Sequence, residues 1–331
     1  MQFLLSVIMI LILTVSANAH PVASALQQEL NRLETVNATP LHLSSNKPIK
    51  LGSSGNEVLL LTTRLNELGY NITPTSNFTV EVEDVVRLYQ HNNSLNVDGI
   101  VASQTLFQLN MNTALAKSLI KQSLEELSKI NLTGKYIIVN IPSFELIAYE
   151  GDQEIFRSKV IVGAPQHKTI LMSTNAWAIK YNPDWTAPPG IRARYAKKWS
   201  AGERAYFAKH GIRVSTKNGM LHFYQPPKSS YLGKLKIELD NPHNIYLHDT
   251  DSREKFNQTT RALSNGCVRV ASYQELGAWL NNSTTSEIQN KINTNKTFVE
   301  QITSIPVHIV YMMAFPNNDK VSYYQDIYKK F

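Results

Sequence analysis

The hydrophobic pattern of this chain changes period near residue 135, and that change divides it into two kinds of structure. Before it, apolar residues recur at helical spacing. Val58, Leu61, Leu65 and Leu68 follow Gly55-Asn56-Glu57 and stop at Gly69; Val82, Val85, Val86 and Tyr89 form a second face; Leu106 and Leu109 follow a turn at Asp98-Gly99. This spacing predicts a compact three-helix module over residues 50–112. Leu115, Leu119, Leu127 and Ile130 carry the same period into a connecting helix over 113–134. Then "KYIIVNIPSFELIAYEGDQEIFRSKVIVG" alternates apolar and polar residues around turns at Pro142-Ser143 and Gly151-Asp152, the signature of half-buried strands. The reading is therefore an α+β chain of two domains: the helical module and a strand-rich domain over 135–315, with a tail at 316–331. The 331 residues, 43% hydrophobic and 18% charged, supply apolar material for both cores.

Within the second domain, 182–236 departs from the alternation. It holds Trp185, Pro188-Pro189-Gly190, the cations Arg192, Arg194, Lys197 and Lys198, and several Tyr and Phe. We read it as an insertion packed on its own aromatic residues, either a lid over a site or a plain surface excursion. At the other end of the chain, Phe3 to Val15 is almost unbroken apolar sequence followed by Ala17-Asn18-Ala19. That is a signal-peptide layout over 1–19, too short for a span of roughly 20 residues. Residues 20–49 are Ser/Asn/Thr-rich and read as a linker. The expectation is an exported protein of the periplasm or cell envelope, without stable membrane insertion after cleavage. The net charge of +7 suits anionic surroundings, but no dense Lys/Arg run or nucleic-acid motif accompanies it, and no nucleic-acid partner is expected.

Export gives weight to the single cysteine, Cys267, because exported cysteines usually pair. Alternation in "NIYLH" sends Ile245 and Leu247 one way, Tyr246 and His248 the other. In "CVRV" it sends Val268 and Val270 inward, Cys267 and Arg269 outward. Two such strands side by side place Tyr246, His248, Cys267 and Arg269 on one surface. The thiolate is the nucleophilic form of cysteine, and an imidazole can take its proton and return it to a leaving amine. Gly266 permits turn dihedrals closed to other residues. Amides of the Ser264-Asn265-Gly266-Cys267 turn are candidates for an oxyanion site, and Arg269 for a substrate carboxylate. Ser272-x-x-Glu275 reads as a capping box. There is no HExxH and no ligand spacing around the lone cysteine, so neither metal nor cofactor is expected.

Two stretches resemble known families. "LGSSGNEVLLLTTRLNELGY" with "VEDVVRLYQHNNSLNVDGIVASQTLFQLN" resembles the peptidoglycan-binding domain type 1 family over about sixty residues. The segment from His248 to Arg269, with Ser264, Gly266, Cys267 and Val268, resembles the L,D-transpeptidase catalytic motif: a strand histidine, a loop, then S-x-G-C-[VI]-R. Asn265 stands where most members have histidine and where the branch with a large insertion often has serine. "YNPDWTAPPGI" and "YLGKLKIELDNPHNIYLHDT" are similar to that branch, in which 182–236 corresponds to a substrate-capping region. The resemblance implies that Cys267 attacks the bond between the third residue of a tetrapeptide stem and its terminal D-alanine, with His248 as base. A second stem then resolves the thioester into a 3→3 cross-link. It also implies peptidoglycan stems as donor and acceptor, and covalent inhibition by carbapenem β-lactams. Two alternatives stay open: an L,D-carboxypeptidase, in which water resolves the thioester, and a non-catalytic wall-binding protein. A papain-like enzyme would place its cysteine before its histidine, the reverse of this order.

Overall fold

The computed structural model describes residues 20–34, 47–93, 95–317 and 320–331, so the expected signal peptide at 1–19 lies outside the described residues. None of the described helices is long and apolar enough to cross a membrane. The first helix, α1 (Pro21–Glu34), falls in the stretch read from sequence as a linker. It is instead a structural element. Val22, Leu26 and Leu33 are buried in the core of the strand-rich domain, and His20 bonds the Tyr136 hydroxyl. The polar composition of 20–49 hid a short apolar stripe at helical spacing.

Helices α2 (Asn56–Glu67), α3 (Val80–Asn92) and α4 (Ser103–Leu109) enclose a separate small core. Val58, Leu61, Leu65, Val82, Val86, Tyr89 and Leu109 meet there, with Val85 and Leu106 packed at its margin. Leu68 does not join them. The helix ends at Glu67, and Leu68, as its C-cap, stays exposed. α5 (Thr113–Ser128) then crosses to the large core, burying Ala116, Leu119, Ile120 and Leu127 while Leu115 faces outward.

The strands that follow are β1 (Lys135–Asn140), β2 (Glu145–Glu150), β3 (Gln153–Gly163) and β4 (Met172–Tyr181). β5 (Trp185–Thr186), α6 (Pro189–Ser200), α7 (Arg204–Lys209), β6 (Arg213–Lys217) and β7 (Met220–Gln225) interrupt them. The series resumes with β8 (Leu235–Leu239), β9 (Leu247–His248), β10 (Ala262–Ser264) and β11 (Val268–Val270), followed by α8 (Tyr273–Leu280), α9 (Thr285–Asn293), β12 (Phe298–Val310), β13 (Ala314–Asn317) and β14 (Lys320–Tyr323). The main sheet is mixed, in the order β10-β3-β11-β9-β8-β4-β12-β1-β2, and a β2–β3 pairing closes it from its last strand onto its second. The interruption forms its own three-stranded sheet, β5-β7-β6, around Trp185, Phe207, Ile212, Phe223 and Leu232. The expected capping box at Ser272 is absent. Ser272 makes no side-chain cap, and its N–H donates instead to Ser158 Oγ at 2.9 Å. Among the described helices a capping box is formed at α9, between Thr284 and Glu287.

The stretch 316–331, read as a tail, is also integral. Tyr323 and Tyr328 belong to the large core, and the Tyr311 hydroxyl accepts from Tyr328 N–H at 2.9 Å. If α1 is part of this core, Leu26→Ala, at a fully buried position, is expected to cost about 2–5 kcal/mol in urea unfolding. A change within about 0.5 kcal/mol would mean the segment is a linker after all.

Candidate active site

Strand β9 contains only Leu247 and His248, yet it sits mid-sheet, antiparallel to β8 and parallel to β11. Its approach is set by Asn241, whose side-chain oxygen accepts from the N–H groups of His243 and Ile245 at 3.0 and 3.1 Å. Its amide donates to the Ile245 carbonyl at 2.7 Å. The parallel register is Val268 opposite Leu247 and Arg269 opposite His248, with Val268 N–H donating to the Tyr246 carbonyl at 3.2 Å. Leu247, Val268 and Val270 are buried in the large core, so the side chains one position away face the other side. Tyr246, His248, Cys267 and Arg269 accordingly line one cavity with Ser264, Asn265 and Gly266. All seven residues singled out from the sequence are brought together there.

The turn before the cysteine is tied from several sides. Ser264 Oγ–H donates to the Cys267 carbonyl at 2.6 Å and accepts from Gly266 N–H at 3.1 Å. Gly266 has φ of +117°, and a Cβ there would meet nothing closer than 3.8 Å, so the dihedral rather than space requires glycine. The Gly266 N–H is thus engaged within the turn itself. The Cys267 N–H has no acceptor among the described residues. Two residues missed from the sequence hold this turn. Thr169 Oγ1–H donates to the Gly266 carbonyl at 2.8 Å, and Gly163 N–H donates back to Thr169 Oγ1 at 2.8 Å. Tyr328 Oη–H donates to the Gly163 carbonyl at 2.7 Å and accepts from Thr169 N–H at 3.1 Å. No local motif advertises them, because the bonds Thr169–Gly266, Thr169–Tyr328 and Tyr328–Gly163 all join residues far apart in sequence. At Gly163 itself a Cβ would lie 2.1 Å from the His167 carbonyl, so the loop 167–169 can close against β3 only over glycine.

The half-buried sulfur lies 3.6 Å from the Asn244 carbonyl, which accepts from the thiol. Tyr246 packs against the apolar cluster of the inserted segment that contains Trp185. Burial pushes the Cys267 thiol up; Tyr246, Lys236 and Arg269 work in the opposite direction. His248 is buried, with Nδ1 donating to the Asp249 carbonyl and its ring 5.4 Å from that of Tyr246. Burial first, then the Arg269 charge, lower its pKa to about 3, so the imidazole is neutral near pH 7. Cys267 and His248 share a wall, with no direct hydrogen bond between them in this arrangement. Arg269 is half-buried, and its Nε is buried without a partner.

The opposite wall comes from the inserted segment: Trp185, Pro188, Pro189, Tyr195, Tyr206 and Tyr231. Together the walls enclose about 580 Å³, the size of a peptide or small-molecule site. Apolar rings on one side and a thiol, an imidazole and a guanidinium on the other suit acyl transfer from a carboxylate-bearing peptide. Among the described residues no cluster of His, Cys, Asp and Glu is arranged to hold a metal ion.

Residues 134–298 match the family model described as "L,D-transpeptidase catalytic domain", and residues 54–109 match "Putative peptidoglycan binding domain". A curated relative from Haemophilus influenzae, named "Putative L,D-transpeptidase", is 29% identical over 213 residues, covering 58% of this chain; the match spans 44% of that relative's length. Among solved structures, an L,D-transpeptidase from Xylanimonas cellulosilytica is 15% identical, covering 81% of this chain and 99% of that one, with a TM-score of 0.29. An L,D-transpeptidase in complex with imipenem is 12% identical, covering 54% of this chain and 59% of that one, with a TM-score of 0.28.

Burying a neutral imidazole couples stability to pH. His248 takes up its proton near pH 6.5 in the unfolded chain but only near 3 in the folded one. Its contribution is therefore complete above pH 6.5 and is lost as pH falls toward 3, by up to about 1.4 kcal/mol per unit. Urea unfolding should weaken more steeply across that window in the parent protein than in His248→Gln. Parallel pH profiles would show that the ring is solvated.

Proposed function

With residues 134–298 belonging to the L,D-transpeptidase catalytic domain family, an acyltransferase family acting on peptidoglycan, we propose that this chain forms 3→3 cross-links through a thioester on Cys267. The observation that carries the reading is the shared wall: His248 on β9 and Cys267 immediately before its parallel neighbour β11, both lining a cavity roofed by aromatic rings.

The raised thiol and neutral imidazole mean that the resting pair is uncharged. Attack then requires the thiol proton to pass to His248 as the sulfur bonds the carbonyl carbon of the donor's third residue. The Asp249 carbonyl holds Nδ1–H, which leaves Nε2 as the accepting nitrogen. Negative charge on the carbonyl oxygen is stabilised by the free Cys267 N–H, an effect commonly worth about 3 kcal/mol. Collapse breaks the amide C–N bond, His248 returns the proton to the departing D-alanine amine, and the thioester remains. An amine of a second stem attacks it, the C–S bond breaks, and a new amide forms with release of the thiol. Arg269, with an unsatisfied buried Nε, holds the terminal carboxylate of the donor before cleavage.

The helical module would anchor the enzyme on the wall, and the expected signal peptide would deliver it to the periplasm or cell envelope. Carbapenems would acylate Cys267 as pseudo-substrates. Water as the resolving nucleophile gives the L,D-carboxypeptidase alternative, which differs only in the acceptor.

Intact-protein mass spectrometry with a tetrapeptide stem or a carbapenem is expected to show one covalent adduct on Cys267 and none on Cys267→Ala. Release of D-alanine by purified Cys267→Ala would overturn the nucleophile assignment. His248→Ala should lower kcat/KM by roughly 10²-fold or more; near-normal turnover would remove His248 from the mechanism.

A further inference from the structure

The cavity is electrically one-sided. Among the described residues lining it there is no carboxylate, whereas Lys168, Arg194 and Arg269 contribute three cations. Arg269 is assigned above. Lys168 is engaged elsewhere, donating to the Tyr328 carbonyl at 2.6 Å and lying over that ring. Arg194 differs from both. It projects from α6 of the inserted segment and spans the cavity mouth. Nη1 contacts His167 Nε2 at 2.7 Å, and Nη2 donates to Asn265 Oδ1 at 2.7 Å.

Neither contact ends on a carboxylate: one partner is an imidazole nitrogen and the other an amide oxygen. None of the ion pairs among the described residues includes Arg194. A guanidinium gripped through two nitrogens without a carboxylate is positioned for a planar anion, which would make the same paired hydrogen bonds with opposite charge added. One of the two acceptors, Asn265, lies two residues before the nucleophile. A ligand group that displaces it belongs to a molecule already lying along Cys267, which is the acyl donor rather than the incoming acceptor.

We propose that Arg194 is a specificity-determining residue that exchanges its grip on His167 and Asn265 for an ionised side carboxylate of the donor peptide. This carboxylate is distinct from the terminal one at Arg269, and its engagement latches the inserted segment over a correctly charged donor. The inference rests on the donor-stem reading above and names the group that reading leaves unassigned. Amidation of that carboxylate removes the charge and one acceptor oxygen, so the enzyme discriminates between free and amidated donors.

The test uses the full chain with tetrapeptide donors, one fully ionised and others amidated at each side carboxylate in turn. The parent enzyme should lose about tenfold or more in kcat/KM on one of the amidated donors, as expected for a charged hydrogen-bonded pair. Arg194→Ala should lose the same factor on the ionised donor and no longer distinguish the two, while Arg194→Lys retains part of the preference. His167→Ala, which removes half of the resting grip but keeps the guanidinium, should still discriminate. The proposal is overturned if Arg194→Ala discriminates as the parent does, or if the parent is indifferent to every amidation. Equilibrium binding of the same donors to Cys267→Ala and to Cys267→Ala/Arg194→Ala keeps the outcome separate from chemistry. Discrimination present in the first and absent in the second supports Arg194 even if transfer itself is never observed, and equal discrimination in both sinks it.

Discussion

The parallel pairing of β9 with β11 carries everything else in this protein. Parallel neighbours need a long crossover, and here the segment between them runs through residues 249–267 before returning beside its starting strand. Its register is enforced by apolar locks. Leu247, Val268 and Val270 are buried in the large core, and a slip of one position would send each of them to the cavity and His248 and Cys267 into hydrocarbon. Packing energy thus selects the alignment from which reactivity follows. The same register puts Tyr246 beside Cys267 and Arg269 beside His248, so aromatic and cationic neighbours come with the pair.

Those neighbours set its protonation. Burial favours the uncharged forms of both groups, and the cations Arg269 and Lys236 make a proton on His248 still less favourable while easing the cost of a thiolate. The result is a neutral thiol and a neutral imidazole on one wall of the cavity. The inserted segment takes part in this arrangement. Its apolar cluster packs against Tyr246, and through Arg194 it reaches His167 and Asn265, so the roof is connected to the floor at two places along the cavity.

Much of this was legible in residue order because period and chemistry are local. Alternation around Tyr246-Leu247-His248 and Cys267-Val268-Arg269 is a property of extended chain, and it sorted the side chains between two faces. Helical spacing located α2, α3 and α5, although the stripe of α5 turned out to run through Ala116 and Ile120 rather than Leu115. Other features had no local trace. Thr169 and Tyr328 steady the cysteine turn from 97 and 165 residues away from their partners Gly266 and Gly163. The capping box expected at Ser272 failed because its N–H found Ser158 on a neighbouring strand.

Residue order by itself determined that this chain has a helical part and a stranded part, and which side chains share a face with Cys267, since both depend on backbone period alone. The tertiary structure decided which faces confront one another. It drew α1 and the C-terminal residues into the core, closed a roof over the thiol, emptied His248 of its charge and left Arg194 bridging the entrance. Those outcomes depend on burial and on contacts between distant segments, whose energies do not exist until the chain has folded back on itself.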